Sequence, residues 1–397
     1  MGDILKIAAV FVFIVVLLKR RWNLGAVMAL SSVALASMYL FSPSDFFKAF
    51  FSALTDRTTI NLVLALTLIR VFENVMRKNG TMQEMMDSFK GIVRDRRILM
   101  ASMPALIGLL PSMGGALFSA PMVEEASKGL NVPSDKKAFV NYIFRHPWEF
   151  VLPLYPGVVL ASAISAFALR DLILYNLPYA LCLLAGGTIW GLRGTGVQKE
   201  DFRKISRKGL ISFLPLTFVL VMVMAFHLDL SLSLGAVVIG LFAVLRYSLR
   251  QIFHSFREGL SWDIITIILG VMTFKAVLSS SGAVANISAF FSSQGIPVLP
   301  VLFFLPFISG LLTGLTFAFV GSTFPIILGL ENGHHIGAIS FAFASGYAGV
   351  LLSPMHLCLV LTREYFKAEM ISMYSKTIKV VLLIMLIAVV EYLILTP

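Results

Sequence analysis

Apolar runs near the length of a bilayer crossing alternate with short polar stretches along the whole chain, which predicts membrane-spanning α-helices rather than the one-sided helices of a water-soluble core. Spans are expected at about 3–18, 23–41, 58–76, 138–168, 172–192, 209–226, 230–249, 262–279, 336–362 and 377–395. Two stretches break the pattern. Residues 108–123 read GLLPSMGGALFSAPMV and residues 310–327 read GLLTGLTFAFVGSTFPII, each cut in half by small, helix-breaking or hydroxyl residues. The arms 98–110 and 116–128, and 298–312 and 316–330, are too short to cross, so each pair predicts a re-entrant hairpin.

The polar stretches give the orientation. Basic residues cluster at Lys19 to Arg21, Arg77 to Arg97, Arg193 to Lys208, Arg246 to Arg257 and Arg363 to Lys379, and such clusters hold the ends they flank in the cytoplasm. The N-terminus is then outside. Arg97 before the first hairpin and Lys128, Lys136 and Lys137 after it imply entry from the cytoplasm. The second hairpin is bounded by 292–294 and 331–335, which lack Lys and Arg, and is expected to enter from outside. The expected fold is an all-α polytopic membrane protein of about ten transmembrane helices plus two hairpins, in a five-plus-five inverted repeat joined near 204–208. Its first unit spans 1–208 and its second 209–397. Amphipathic surface arms are expected before each hairpin, at 81–96 and 284–293.

Composition agrees. Mean hydropathy is +0.89, with 58% hydrophobic and 13% charged residues, about half the charge of an average soluble protein. The net charge of +11 resides in the flanking clusters rather than in a basic stripe, which excludes a nucleic-acid partner. Cys182 and Cys358 lie in apolar runs and are expected to act as small hydrophobes, with no disulfide and no metal. The first run has no basic n-region or small-residue cleavage site and is expected to be a retained helix.

The candidate chemistry sits where spans are broken. Residues 139–156 carry Asn141, Arg145, His146, Pro147, Trp148, Glu149, Pro153 and Pro156; residues 339–361 carry Ser345, Gly346, Gly349, Ser353, Pro354 and His356. Proline removes a backbone donor and blocks the preceding turn, so both breaks free polar backbone groups that lipid cannot satisfy. The hairpin tips add Ser112, Met113, Gly114 and Gly115, and Thr313, Gly314 and Thr316. Arg145 suits an anionic group, Glu149 a proton or sodium, and His146 a proton. A competing structural expectation is an Arg145–Glu149 pair at i, i+4. Hydroxyls at Ser322 and Thr323 often bond their own i−4 carbonyls. Glu124 and Glu125 read as a solvated face, and His334 and His335 as exposed loop residues. Arg70 and Lys275 reach the interface with long side chains. Trp22, Tyr39, Trp148, Tyr155, Trp190, Tyr365 and Tyr374 read mostly as interfacial anchors.

The expected function is secondary transport of a small, anionic solute across the cytoplasmic membrane. No cofactor beyond a coupling Na+ or H+ is expected, and the partners are a small-molecule or ion substrate and the lipid bilayer. Alternatives are an uncoupled carrier, a channel, or an intramembrane metal-dependent enzyme using His146 with Glu149 or His334 with His335. Against the enzyme, there is no HExxH pair and no three-ligand cluster along the chain.

Three spans, a surface arm, a hairpin, a broken span and a closing span, repeated in inverted sense, resemble the ion transporter superfamily, which includes sodium-coupled dicarboxylate symporters, gluconate and citrate permeases and arsenite carriers. The runs GVLLSPMHLCLVLTREYF at 349–366 and LLPSMGGALFSAPMVEEA at 109–126 resemble the integral membrane family catalogued as domain of unknown function 401. The likeness covers essentially the whole chain. It implies an elevator carrier, in which hairpins and broken spans slide against a scaffold of the other spans, and a homodimer. The dicarboxylate branch holds sodium and substrate with Ser-Asn-Thr at both tips, whereas neither tip here contains Asn.

Overall fold

Polar residues at the heads of the apolar runs set where helices begin. Asn23 accepts from the amide of Gly25 at 2.8 Å, Asp56 from Thr59 at 3.2 Å, Asp95 from Arg97 at 2.9 Å and Asp229 from Ser231 at 2.8 Å, each satisfying an amide that the first turn leaves free. The computed structural model describes residues 2–111, 114–198, 207–294, 297–330 and 335–395. Among them the regular structure is helical throughout.

Six segments among the described residues are long and apolar enough to cross a membrane: Arg57–Lys78, Ser134–Ser165, Leu169–Leu192, Trp262–Ser280, Ile336–Phe366 and Met370–Ile394. Leu24–Met38, Gly209–Met224 and Leu230–Val244 are shorter apolar helices, and Gly2–Lys19 is an 18-residue helix ending at the first basic cluster. The interrupted stretches are hairpins, Arg96–Gly108 with Gly115–Ala126 and Leu299–Thr313 with Thr316–Ile327. Thr81–Ile92 and Ala283–Gln294 precede them.

Two helices lie where linkers or span ends were expected. Pro43–Thr55 starts at the Ser42 cap followed by Pro43. Leu249–Gly259 starts at a capping box in which Ser248 and Gln251 satisfy each other's amides. The span expected over 230–249 therefore ends at Val244, where Leu245 to Tyr247 turn the chain through a left-handed Arg246. Both added helices are amphipathic and run directly into Arg57–Lys78 and Trp262–Ser280.

Helices pair across the chain. Leu24–Met38 packs on Trp262–Ser280, and Arg57–Lys78 on Leu230–Val244 and Leu249–Gly259. Pro156–Ser165 packs on the second arm of the second hairpin, while Leu357–Phe366 packs on the second arm of the first. Ile336–Leu352 is buried at almost every position between Leu299–Thr313 and Met370–Leu395. The latter turns Ile378, Leu382, Leu386 and Leu393 outward, a one-sided apolar stripe suited to lipid.

Candidate functional site

The first break begins where Ser134–Ile143 must stop. Pro147 has no amide to give to Ile143, and the chain turns through Phe144 to His146 before the single turn Trp148–Val151 and the helix Pro156–Ser165. In the second segment Ile336–Leu352 ends at Ser353 and Pro354, and Leu357–Phe366 follows. The two breaks satisfy each other's freed carbonyls. Tyr142 donates to the Leu351 carbonyl at 2.9 Å, and Tyr347 donates to the His146 carbonyl at 3.0 Å. Both tyrosines are fully buried.

Each hairpin tip then closes on the breaks. At the first, Asn141 donates to the Ala116 carbonyl at 3.1 Å and to the Thr362 hydroxyl at 3.0 Å. The Arg145 guanidinium lies against Gly115, where any side chain would collide with it. Farther along the first arm, Tyr155 donates to the Gly108 carbonyl at 2.5 Å and Trp148 to the Ala105 carbonyl at 2.7 Å. At the second tip, Thr316 donates a short hydrogen bond to Glu149, and the Gly314 carbonyl lies 2.7 Å from Nδ1 of His356. Gly314 is left-handed, φ +65°, and its Cα faces the His356 backbone too closely for a Cβ.

Between the tips, Nε2 of His146 and Nε2 of His356 are 2.9 Å apart. The ligand atoms of these two histidines and of Cys358 all lie within 4.8 Å of one another, and Arg145 also neighbours the thiol. Arg145 and His146 are 4% and 1% exposed, so the cluster holds a formal cation and a titratable ring out of water, an arrangement that costs several kcal/mol unless charge is matched locally. Glu149 supplies part of that match, with Oε1 3.9 Å from Nε2 of His146.

A family model described as a protein of unknown function, DUF401, matches residues 4–395. The chain belongs to this family. No curated protein matches it.

In this DUF401 chain the structure gathers Gly114, Gly115, Asn141, Arg145, His146, Glu149, Gly314, Thr316 and His356 from the expected site set. Ser112 and Met113 lie outside the described residues, as does His334. Thr313 donates to its own i−4 carbonyl at Ser309, 2.7 Å away. Ser345 bonds Phe341 in the same way at 2.8 Å, and Gly346 lies under the Phe319 ring, so both serve helix packing. Ser353 accepts from the Met355 amide at 3.1 Å and shapes the break. Ser322 and Thr323 bond the i−4 carbonyls of Ala318 and Phe319, each at 2.7 Å.

Several expectations are corrected. The expected Arg145–Glu149 pair is incomplete as a description: Glu149 is held by Thr316 and faces His146, while its charge also acts on Arg145. Cys358 is not a simple apolar filler, because the fold brings its sulfur to two histidines, and the three-ligand cluster that is absent from the linear sequence exists in space. Its spacing from His356, two residues past Pro354, is the signal that could have exposed it. Trp148 and Tyr155 are not interfacial anchors but tie down the first hairpin. Lys275 donates to the Ile164 carbonyl at 2.7 Å, capping the end of Pro156–Ser165 instead of reaching outward. Glu124, by contrast, keeps the solvated position expected of it, with 43% of its side chain exposed while it pairs with Lys137 at 2.8 Å. A second polar group went unforeseen: Ser340 donates to Asn176 at 2.8 Å, and its hydroxyl lies 3.2 Å from that of Tyr179, beside Glu391 on the last helix.

A cavity of about 740 Å³ opens beside the C-terminal part of Pro156–Ser165, lined by Arg57, Asn61, Ser162, Arg170, His227 and Asp229 among others. It is separate from the buried cluster but shares that helix with it.

Proposed function

We propose that this protein is a secondary active transporter that moves a small anionic solute across the cytoplasmic membrane, coupled to Na+ or H+, by an elevator motion. The observation that carries this reading is the meeting of both hairpin tips with both helix breaks around buried Arg145 and part-buried Glu149. Freed backbone groups and charges of opposite sign held out of bulk water are what a carrier needs at membrane depth, and neither is useful to a purely structural helix bundle. Arg145 binds the anion. Glu149 takes the coupling cation, and the Oδ1 of Asn141, a buried acceptor with no hydrogen-bond partner among the described residues, is a further oxygen donor on the side of the first tip.

The order of elements supports the inverted repeat. Apolar helix, apolar helix, amphipathic helix, long helix, surface helix, hairpin, broken segment and closing helix run from Gly2 to Leu192 and again from Arg207 to Leu395. The amphipathic Pro43–Thr55 and Leu249–Gly259 occupy matching places, a correspondence beyond what the hairpins alone required. Orientation follows the basic clusters, with the N-terminus outside and ten crossings. The pairs Leu24–Met38 with Trp262–Ser280 and Arg57–Lys78 with Leu230–Val244 form the scaffold; the hairpins and broken segments form the moving unit. Arg57 and Arg170 in the separate cavity would draw an anion toward that face of the protein. The resemblance to the ion transporter superfamily adds the homodimer to this reading.

The test is thermal-shift screening of purified protein against anions with sodium and pH varied, followed by uptake of the hit into proteoliposomes. Arg145→Ala and Glu149→Gln, inserted at wild-type levels, lose uptake. Normal uptake by both would remove the charged groups from the mechanism, and cysteine accessibility showing either hairpin to emerge on the far side would end the carrier reading.

A further inference from the structure

The two histidines at the centre of the cluster are oriented as ligands. A backbone carbonyl only accepts, so Nδ1 of His146, 2.5 Å from the Tyr142 carbonyl, and Nδ1 of His356, 2.7 Å from the Gly314 carbonyl, both carry hydrogens. In neutral rings that leaves a lone pair on each Nε2. Those two lone pairs face each other at 2.9 Å, which is repulsive unless a positive species sits between them. Locking Nδ1 on a carbonyl so that Nε2 is free is also how metal-binding histidines are held.

We propose that His146, His356 and Cys358 form a binding site for a zinc-class transition-metal ion. Two imidazoles and a thiolate are the donor set such ions select over Na+, K+ or Mg2+, and three protein ligands with an open fourth position are the pattern of sites where the metal contacts a further ligand. Tetrahedral Zn–N bonds of about 2.05 Å put the two nitrogens about 3.3 Å apart, so the rings need to part by only a few tenths of an ångström. The fourth position is flanked by Glu149, which Thr316 holds in place. Tyr142 and Tyr347, with ring centroids 4.5 Å and 6.5 Å from that of His146, keep the site dry. Two positive charges from the metal and one from Arg145, set against the Cys358 thiolate and the Glu149 carboxylate, leave one positive charge, which a monoanion at the fourth position neutralises. The ligands come from both breaks, and His356 is oriented by a hairpin tip, so the ion would join the tip and the two breaks into one unit. None of this requires that the chain be a carrier.

The experiment uses the purified full-length chain in detergent, stripped with chelator, titrated with Zn2+ alone and separately with Co2+ as a spectroscopic probe. One ion per chain is expected, with a thiolate-to-cobalt charge-transfer band in the near ultraviolet. Cys358→Ser, monodisperse and nearly isosteric, loses that band and binds zinc at least about 100-fold more weakly; His356→Gln weakens zinc by a similar factor while Cys182→Ser changes neither signal. A folded wild type that takes up no zinc would mean that a shared proton fills the gap, and would overturn the site, as would Cys358→Ser binding as tightly as wild type. Because the readout is binding rather than flux, failure here and failure of the transport assay are told apart.

Discussion

Gly314 offers the sharpest energetic test of how the second tip is seated. Its φ of +65° lies in the left-handed region, and an added Cβ would stand 2.7 Å from the His356 amide nitrogen, 2.8 Å from its Cα and 2.9 Å from the Met355 carbonyl carbon. These are backbone atoms that no rotamer change can move aside. Gly282 is the matched control: φ is +71°, and an added Cβ would meet nothing within 4 Å. Alanine in the left-handed region costs about 1–2 kcal/mol, and that is the whole penalty expected for Gly282→Ala. Gly314→Ala adds an overpacking cost of about 1–3 kcal/mol, for a total of about 2–5 kcal/mol. Thermal unfolding of both variants in one detergent, followed by tryptophan fluorescence, gives the comparison, with the Gly314 variant clearly the less stable. Equal losses would show that the tip does not press on the His356 backbone and would refute the close seating on which the site geometry rests.

Tyr155→Phe strands the Gly108 carbonyl that the phenol holds at 2.5 Å, and an unpaired buried acceptor costs about 1–3 kcal/mol; an unchanged unfolding midpoint would count against the tie between the first hairpin and the break. At the membrane surface, the Arg97 hydrogen bond holds the Asp95 carboxyl below its usual range. A depressed folded-state value means that the stabilisation is present above the unfolded value of about 3.9 and is lost as pH falls through the folded one. Asp95→Asn is therefore less stable than wild type at pH 6, and the two converge in acid; a gap that persists or widens at low pH would contradict this.

What could be read along the chain and what could not divide by range. A pair of short helices around a break, or a helix that must end before Pro147 or Pro354, is decided within a few residues by run length and proline chemistry, and the observed elements start and stop close to the expected positions. The amphipathic Pro43–Thr55 and Leu249–Gly259 escaped notice because their polar faces make them resemble linkers between apolar runs. The chemistry of the site was only half visible. His146, Glu149 and His356 stand out as ionisable groups in apolar surroundings, but that the two histidines meet is a property of packing across 210 positions. Cys358 was hidden by its apolar neighbours in sequence, and Trp148 and Tyr155 by the general habit of aromatic residues to collect near bilayer surfaces. Local rules found the breaks; only the folded chain showed what they grip.

The exchange of contacts between the two breaks also constrains biogenesis. Asn141, Tyr142 and His146 find their partners Thr362, Leu351 and His356 at separations of 221, 209 and 210 residues. When the ribosome has delivered the first of these polar groups to the membrane, the groups that satisfy them do not yet exist. The nascent first half must keep them wet, or shielded by the insertion machinery, until most of the chain has been synthesised. Closure of the centre is then a late assembly event, and early termination leaves a membrane-inserted fragment with unsatisfied polar groups, a substrate for quality-control proteolysis.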